Sequence, residues 1–103
     1  MNTFAALAEP RRQEIVSLIA KHGEMTASDI VKRFKVSAPA ISQHLKVLNK
    51  HNLVIVKKDA QRRLYSINPE GFNEMSEYIE SVRRDWETRL DRLEQYINEL
   101  QSK

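Results

Sequence analysis

The chain has 103 residues, of which 41% are apolar and 30% are charged, and this predicts one small folded domain. It contains no cysteine, which excludes disulfides, thiolate metal ligands and a cysteine nucleophile. The longest apolar run, Phe4–Ala8, is too short to span a membrane, and no basic-then-apolar leader opens the chain. We therefore expect a cytoplasmic protein with no membrane partner.

The net charge of +3 is unevenly distributed. Residues 1–68 carry twelve Lys and Arg against five Asp and Glu, whereas residues 69–103 carry five against nine. A basic segment followed by an acidic one predicts that the first binds a polyanion and that the second has a different role.

Helices are expected to dominate, because only two Gly and three Pro interrupt the sequence. Residues 3–8 predict a short helix. Pro10 suits the first turn of a second helix, and Gly23 suits a left-handed cap at its end. Apolar residues repeat at helical spacing within that second helix, as Ile15, Leu18 and Ile19.

The next two predicted helices form a pair joined by a short turn. Thr26 and Asp29 have nearly the spacing of a capping box at the start of the first, which we expect to end at Phe34. Ser37 is the predicted N-cap of the second, and Pro39 is tolerated in its first turn. The second helix has one apolar stripe, formed by Ile41, Leu45 and Leu48.

A β-hairpin and a long helix complete the chain. Residues 53–57 and 63–67 are rich in β-branched and aromatic side chains, and a polar turn separates them. Asn68 and Pro69 are typical of an N-cap and a first helical turn. The helix that they begin extends to about Leu100, which corresponds to roughly 45 Å.

The long helix carries an apolar seam with steps of three and four residues and one stutter near Trp86. Because an exposed seam must be covered, we expect this helix to pair with a partner surface, with the N-terminal helix packed beside it. Trp86 alternatively lines a ligand pocket, but the pattern favours the seam. The predicted interface residues are Phe4, Leu7, Phe72, Met75, Ile79, Val82, Trp86, Leu90, Leu93 and Ile97.

These elements predict a mainly α fold with a β-hairpin wing. The order α-α-α-α-β-β-α is that of a winged helix-turn-helix, and it occupies residues 1–103 as a single domain. Residues 3–68 would form the DNA-binding body with its N-terminal helices and wing. Residues 69–101 would form the C-terminal dimerisation helix.

The side chains outside the apolar stripe of the fourth helix are suited to double-stranded DNA. Small residues allow close approach to a groove, Ser and Gln hydrogen bond with base edges, and Lys suits phosphates. Ser37 caps a helix N-terminus, which itself favours anions. The candidates on this helix are Ser37, Ala38, Pro39, Ser42, Gln43 and Lys46, and the basic residues of the hairpin are Lys57, Lys58, Arg62 and Arg63.

These motifs resemble a known family. The stretch VSAPAISQHLKVLNKHNLVIVKKDAQRRLYSINPEGF resembles the helix-turn-helix and wing of the ArsR/SmtB family of bacterial repressors, and LAEPRRQEIVSLIA resembles that family's start. The segment WETRLDRLEQYI is similar to a branch whose members often neighbour START-like (SRPBCC) domain genes. The resemblance implies a homodimeric repressor that binds an imperfect palindrome in the major groove.

The resemblance also implies which residues contact DNA. The base-facing positions correspond to Ala38, Pro39, Ser42 and Gln43, with His44 at the edge. His44 alternatively packs beside Ile41 and Leu48. The wing contacts correspond to Lys58, Gln61, Arg62 and Arg63.

Two departures from the family pattern occur where glycine is usual: Ala60 in the wing turn and Asn52 before the hairpin. Ala60 suggests a different turn type. The metal-binding sites of some members require Cys, or His on the last helix. This chain has no Cys, and its three histidines all precede residue 68. We therefore expect no metal site and no cofactor.

Other function classes fit the sequence less well. An enzyme is not expected, because there is no Gly-rich phosphate loop and no Ser, His and carboxylate set, so no catalytic residue is predicted. A protein-interaction module would not need the basic excess of residues 1–68. A ligand-responsive sensor, with a small molecule between the terminal helices, stays open, and no effector is identified. Two roles are open for Lys32, Arg33 and Lys35: they contact DNA phosphates, which we favour, or they only solubilise a helix end.

Overall fold

The computed structural model describes residues 2–102. The elements follow the chain as helices α1 (Thr3–Ala6) and α2 (Pro10–His22), strand β1 (Glu24–Thr26), helices α3 (Ala27–Val31) and α4 (Ala38–Lys50), strands β2 (Val54–Asp59) and β3 (Arg62–Ile67), a 3-10 turn (Pro69–Phe72) and helix α5 (Asn73–Gln101). The chain divides into two compact units after Asn73. The mainly helical fold with a wing, predicted from the sequence, is confirmed.

The sheet has one strand more than the sequence predicted. Its antiparallel order is β1-β3-β2, with Met25 opposite Tyr65 and Val56 opposite Tyr65 on the other side. Strand β1 has only three residues: it follows the positive-φ Gly23 (φ 84°), and its last residue, Thr26, is also the cap of α3. A segment this short shows no alternation from which a strand can be predicted.

The hydrophobic core of the first unit contains the predicted helical stripes. Ile15 and Ile19 of α2 are fully buried, and so are Ile41 and Leu48 of α4. Leu18 is only half-buried at the margin of this core. Among the residues that the structure describes, the buried members of this core are Ala6, Ile15, Ile19, Met25, Ile30, Ile41, Leu45, Leu48, Leu53, Val54 and Tyr65.

Two of the predicted helix caps are formed as expected. The hydroxyl of Thr26 accepts a hydrogen bond from the backbone N–H of Asp29 at 3.1 Å, and the hydroxyl of Ser37 accepts one from Ala40 at 3.3 Å. Each satisfies an N–H group that has no partner within its helix. However, α3 ends at Val31 rather than at Phe34.

The sequence predicts Asn68 as the N-cap of the last helix, but its side chain forms no capping hydrogen bond. Its side-chain amide donates to the carbonyl of Asn52 at 3.0 Å, and its backbone N–H donates to Leu53 at 3.0 Å. A Cβ on Gly71 would lie 1.8 Å from the Asn52 carbonyl oxygen. The 3-10 turn is therefore held against the connection between α4 and β2, and α5 begins only at Asn73.

The second unit consists of α5, a single helix. None of its residues is buried within the part of the chain that the structure describes. Large apolar side chains are exposed to solvent along its length, including Trp86 (60% exposed) and Leu93 (54% exposed). Among residues 2–102, no helix combines the length and the apolar composition needed to cross a bilayer.

The close approach of Gly71 to Asn52 predicts that Gly71→Ala is destabilising. The added methyl group must displace backbone, which costs about 1–3 kcal/mol of the free energy of unfolding. Urea unfolding at one fixed protein concentration measures this loss. Glu70→Ala is the matched control, because Glu70 is exposed one position away and its removal should change stability by less than about 0.5 kcal/mol. Equal stability of the two variants would contradict the packing described.

Candidate nucleic-acid interface

The buried stripe of α4 fixes which of its side chains face outwards. Ile41, Leu45 and Leu48 are turned into the core. Because each residue turns the helix by about 100°, the positions one or two residues away from the stripe point away from the core. The predicted contact residues on that face are all exposed: Ala38, Pro39, Ser42, Gln43 and Lys46.

Ser37 and His44 have partners within the protein. The Ser37 hydroxyl is used to cap α4, so its first role is to fix the start of that helix. His44 is half-buried, and its Nδ1 atom lies 3.4 Å from Nη1 of Arg12 on α2. Arg12 is a residue that sequence reasoning missed, because a contact across 32 positions leaves no local pattern.

The wing presents its cations on a regular hairpin. Lys58, Gln61, Arg62 and Arg63 are all exposed. Lys58 and Arg63 are directly opposite each other in the register of β2 and β3. Two like charges facing each other are unfavourable in the free protein, so a polyanion at this place would relieve their repulsion.

Arg62 is also paired with an acid. Its Nη2 donates to Oδ2 of Asp59 at 2.8 Å, and both side chains are more than half exposed. An exposed pair of this kind contributes only about 0–1 kcal/mol, so it leaves the guanidinium available to another anion.

The wing turn consists of Ala60 and Gln61, since Asp59 and Arg62 on either side are still paired. Ala60 itself has φ 57°, a left-handed conformation that favours glycine. The turn therefore holds an alanine in a conformation that favours glycine, at the cost of backbone strain. The other departure, Asn52, also has a positive φ, of 60°, which asparagine tolerates.

A second group of cations lies in the turn between α3 and α4. Lys32, Arg33 and Lys35 are exposed there, immediately before the N-terminus of α4. In the sequence, these cations precede α4 and the cations of the wing follow it. Within residues 2–102 no three His, Cys, Asp or Glu residues are grouped closely enough to hold a metal ion.

Comparison with known proteins relates this arrangement to transcriptional regulators. Residues 9–56 match the family described as "Bacterial regulatory protein, arsR family". The chain is 39% identical over 67 residues to the transcriptional repressor SdpR of Bacillus subtilis (strain 168), which covers 65% of this chain and 73% of SdpR. It is 30% identical over 76 residues to the arsenical resistance operon repressor of Staphylococcus xylosus, which covers 74% and 72% of the two chains.

A solved structure is similar over a larger part of the chain. The ArsR-like transcriptional regulator from Rhodococcus sp. RHA1 superposes with a TM-score of 0.75 at 29% sequence identity. The superposition covers 89% of this chain and 86% of the regulator.

The strained turn predicts that Ala60→Gly stabilises the protein. Removing the Cβ relieves the left-handed strain, and the greater freedom of glycine in the unfolded chain offsets part of that gain, which leaves about 0.5–1 kcal/mol. Ala60→Val should be destabilising, because a β-branched residue adopts positive φ poorly. Thermal unfolding of both variants measures the two changes. A less stable Ala60→Gly variant would show that the turn has another conformation.

Proposed function

The chain belongs to the ArsR family of bacterial regulatory proteins, and we propose that it is a homodimeric transcriptional repressor that binds a palindromic DNA operator in the cytoplasm. The observation that carries the proposal is the exposed polar face of α4, held by a buried apolar stripe and followed by a cationic wing. The relatives SdpR and the arsenical resistance operon repressor are themselves named as repressors.

In this proposal α4 is the recognition helix and enters the major groove, which is wide enough to admit a helix. Ala38 and Pro39 have short side chains and let the helix approach the groove floor. Ser42 and Gln43 donate to and accept from base edges, and Lys46 contacts a phosphate. Ser37 and His44 lie at the margins of this face, where their partners within the protein hold them.

The wing and the α3–α4 turn hold the DNA backbone. Lys58 and Arg63, which oppose each other across the hairpin, contact phosphates together with Gln61 and Arg62. Lys32, Arg33 and Lys35, in the turn that precedes α4, also contact phosphates in this proposal. These contacts are independent of base sequence and position the recognition helix.

The second copy of the chain covers α5. Apolar residues from Ile79 to Ile97 are 44–60% exposed on this helix, and they repeat along one stripe. A second α5 carries the same stripe, so a two-fold axis brings two apolar faces together. We expect the interface also to include Phe4 of α1, which is 38% exposed, Leu7, which caps the end of α1, and Phe72 and Met75. Residues 69–103 have an excess of acids, so we expect this segment not to contact the DNA.

The two-fold axis dictates the form of the operator. Two recognition helices related by that axis read two inverted half-sites, so the operator is palindromic. The proposal is tested by selecting the sequences that the chain binds from a random DNA pool. A two-fold symmetric consensus supports it. Binding with no sequence enrichment, or with no dependence on salt, would favour a protein-interaction module.

Base reading and phosphate anchoring are predicted to separate by mutation. Gln43→Ala should relax the base preference at one position per half-site, at a cost of about 1–3 kcal/mol. Arg62→Ala should weaken selected and random DNA alike and should reduce the salt slope by about one for each wing. Fluorescence anisotropy on both DNAs, over 50–200 mM salt, measures these effects. The same behaviour in both variants would refute this division of roles.

Dimerisation through α5 predicts that a polar residue in the seam weakens self-association. Leu93→Gln should raise the dimer dissociation constant at least about tenfold, because each copy loses a buried apolar side chain. Asp91→Gln is the control, since Asp91 lies on the opposite side of the helix from the seam. Sedimentation equilibrium measures both constants. A wild-type chain that is monomeric at micromolar concentration would contradict the proposal.

A further inference from the structure

Arg12 is a single side chain that contacts two different helices. It lies in the first turn of α2 and is partly buried. Its Nε donates a hydrogen bond to the carbonyl oxygen of Ala6, the last residue of α1. Its Nη1 lies 3.4 Å from Nδ1 of His44 on α4. The guanidinium group therefore bridges the end of α1 and the middle of the recognition helix.

The bond to Ala6 is one of a matched pair. Gln13, the next residue of α2, donates through its Nε2 to the carbonyl of Leu7. Carbonyl groups at a helix end have no partner within the helix. The side chains of Arg12 and Gln13 donate hydrogen bonds to two such carbonyls, at the end of α1. Both residues hold α1 to α2, but of these two contacts only that of Arg12 continues to α4 through His44.

The contact with Arg12 suits one tautomer of His44. Arginine remains protonated and only donates hydrogen bonds. Nδ1 of His44 accepts in this contact, which requires the tautomer with the ring proton on Nε2. This leaves Nε2 as a hydrogen-bond donor for an acceptor on DNA.

We propose that Arg12 is a positioning residue, which orients the recognition helix relative to α1 and sets the tautomer of His44 for DNA binding. The inference rests on the proposed function, in which α1 belongs to the dimer interface and α4 reads the operator. Burial of the apolar stripe already fixes which face of α4 points outwards, and the planar guanidinium with its diverging donors adds a directional contact between α4 and α1. Arg12 thus connects α1, which we propose for the dimer interface, with the orientation of the recognition helix α4.

The test uses Arg12→Lys, which keeps the charge but cannot form both contacts from one planar group. We expect its affinity for the operator selected from the random pool to fall about three- to tenfold, the effect of losing one hydrogen bond. Its affinity for random DNA should change less than about twofold, because the phosphate contacts and the charge are unaltered. Gln13→Ala is the matched control, and it should leave both affinities within about twofold.

A double-mutant cycle with His44→Leu identifies the path of the effect. If Arg12 acts through His44, Arg12→Lys should lower operator affinity less than about twofold in the His44→Leu background. Thermal unfolding of each variant accompanies the binding measurements. A positioning role is supported over a general structural one if Arg12→Lys and Gln13→Ala lose similar stability but only Arg12→Lys has a lower operator affinity.

Three results would overturn the inference. The first is operator binding by Arg12→Lys at the wild-type affinity. The second is an equal loss in Gln13→Ala, and the third is full additivity with His44→Leu. Should Arg12→Lys fail to fold, wild-type operator affinity in His44→Leu alone would also overturn it. A wild-type chain that enriches no sequence at all would instead refute the proposed function.

Discussion

Burial of Ile41, Leu45 and Leu48 is the constraint on which the candidate site depends. Each of these side chains gains about 1.5–3 kcal/mol from leaving water, so rotation of α4 about its axis would be costly. The same burial turns Ser42, Gln43 and their neighbours outwards as one surface. The hydroxyl of Ser37 fixes where the helix begins, and the hydrogen bonds of Asn68 hold the chain where it ends. The functional face is thus determined by what the core removes from solvent.

The distribution of charge distinguishes the two segments of the chain. The basic excess belongs to the segment that carries α4 and the wing, and the acidic excess belongs to the segment that carries α5. A polyanion attracts the first and repels the second. The exposed seam of α5 adds a second requirement, because an apolar stripe of this length needs a partner surface. The net charge of +3 therefore conceals a division between a DNA-binding segment and an acidic helix that we propose pairs with a second copy.

Local patterns predicted most of the fold and the outward face of α4. The stripes at i, i+3 and i+4, the caps Thr26 and Ser37, and the hairpin all have signals within a few residues. Strand β1 was too short to show a period, and it exists because Met25 packs opposite Tyr65, which is 40 residues away in the chain. Local sequence predicts Asn68 as a helix cap, but its side chain instead forms a tertiary hydrogen bond with the carbonyl of Asn52. The Arg12–His44 contact likewise depends on tertiary structure.

The central claim is that two chains, joined through α5, present two recognition helices to one operator. Native mass spectrometry of the complex with the selected operator, and with a single half-site duplex, tests it most directly. The account predicts two chains on the full operator with no appreciable one-chain species, and much weaker binding to the half-site. One chain bound to the full operator, with the half-site bound equally well, would contradict it.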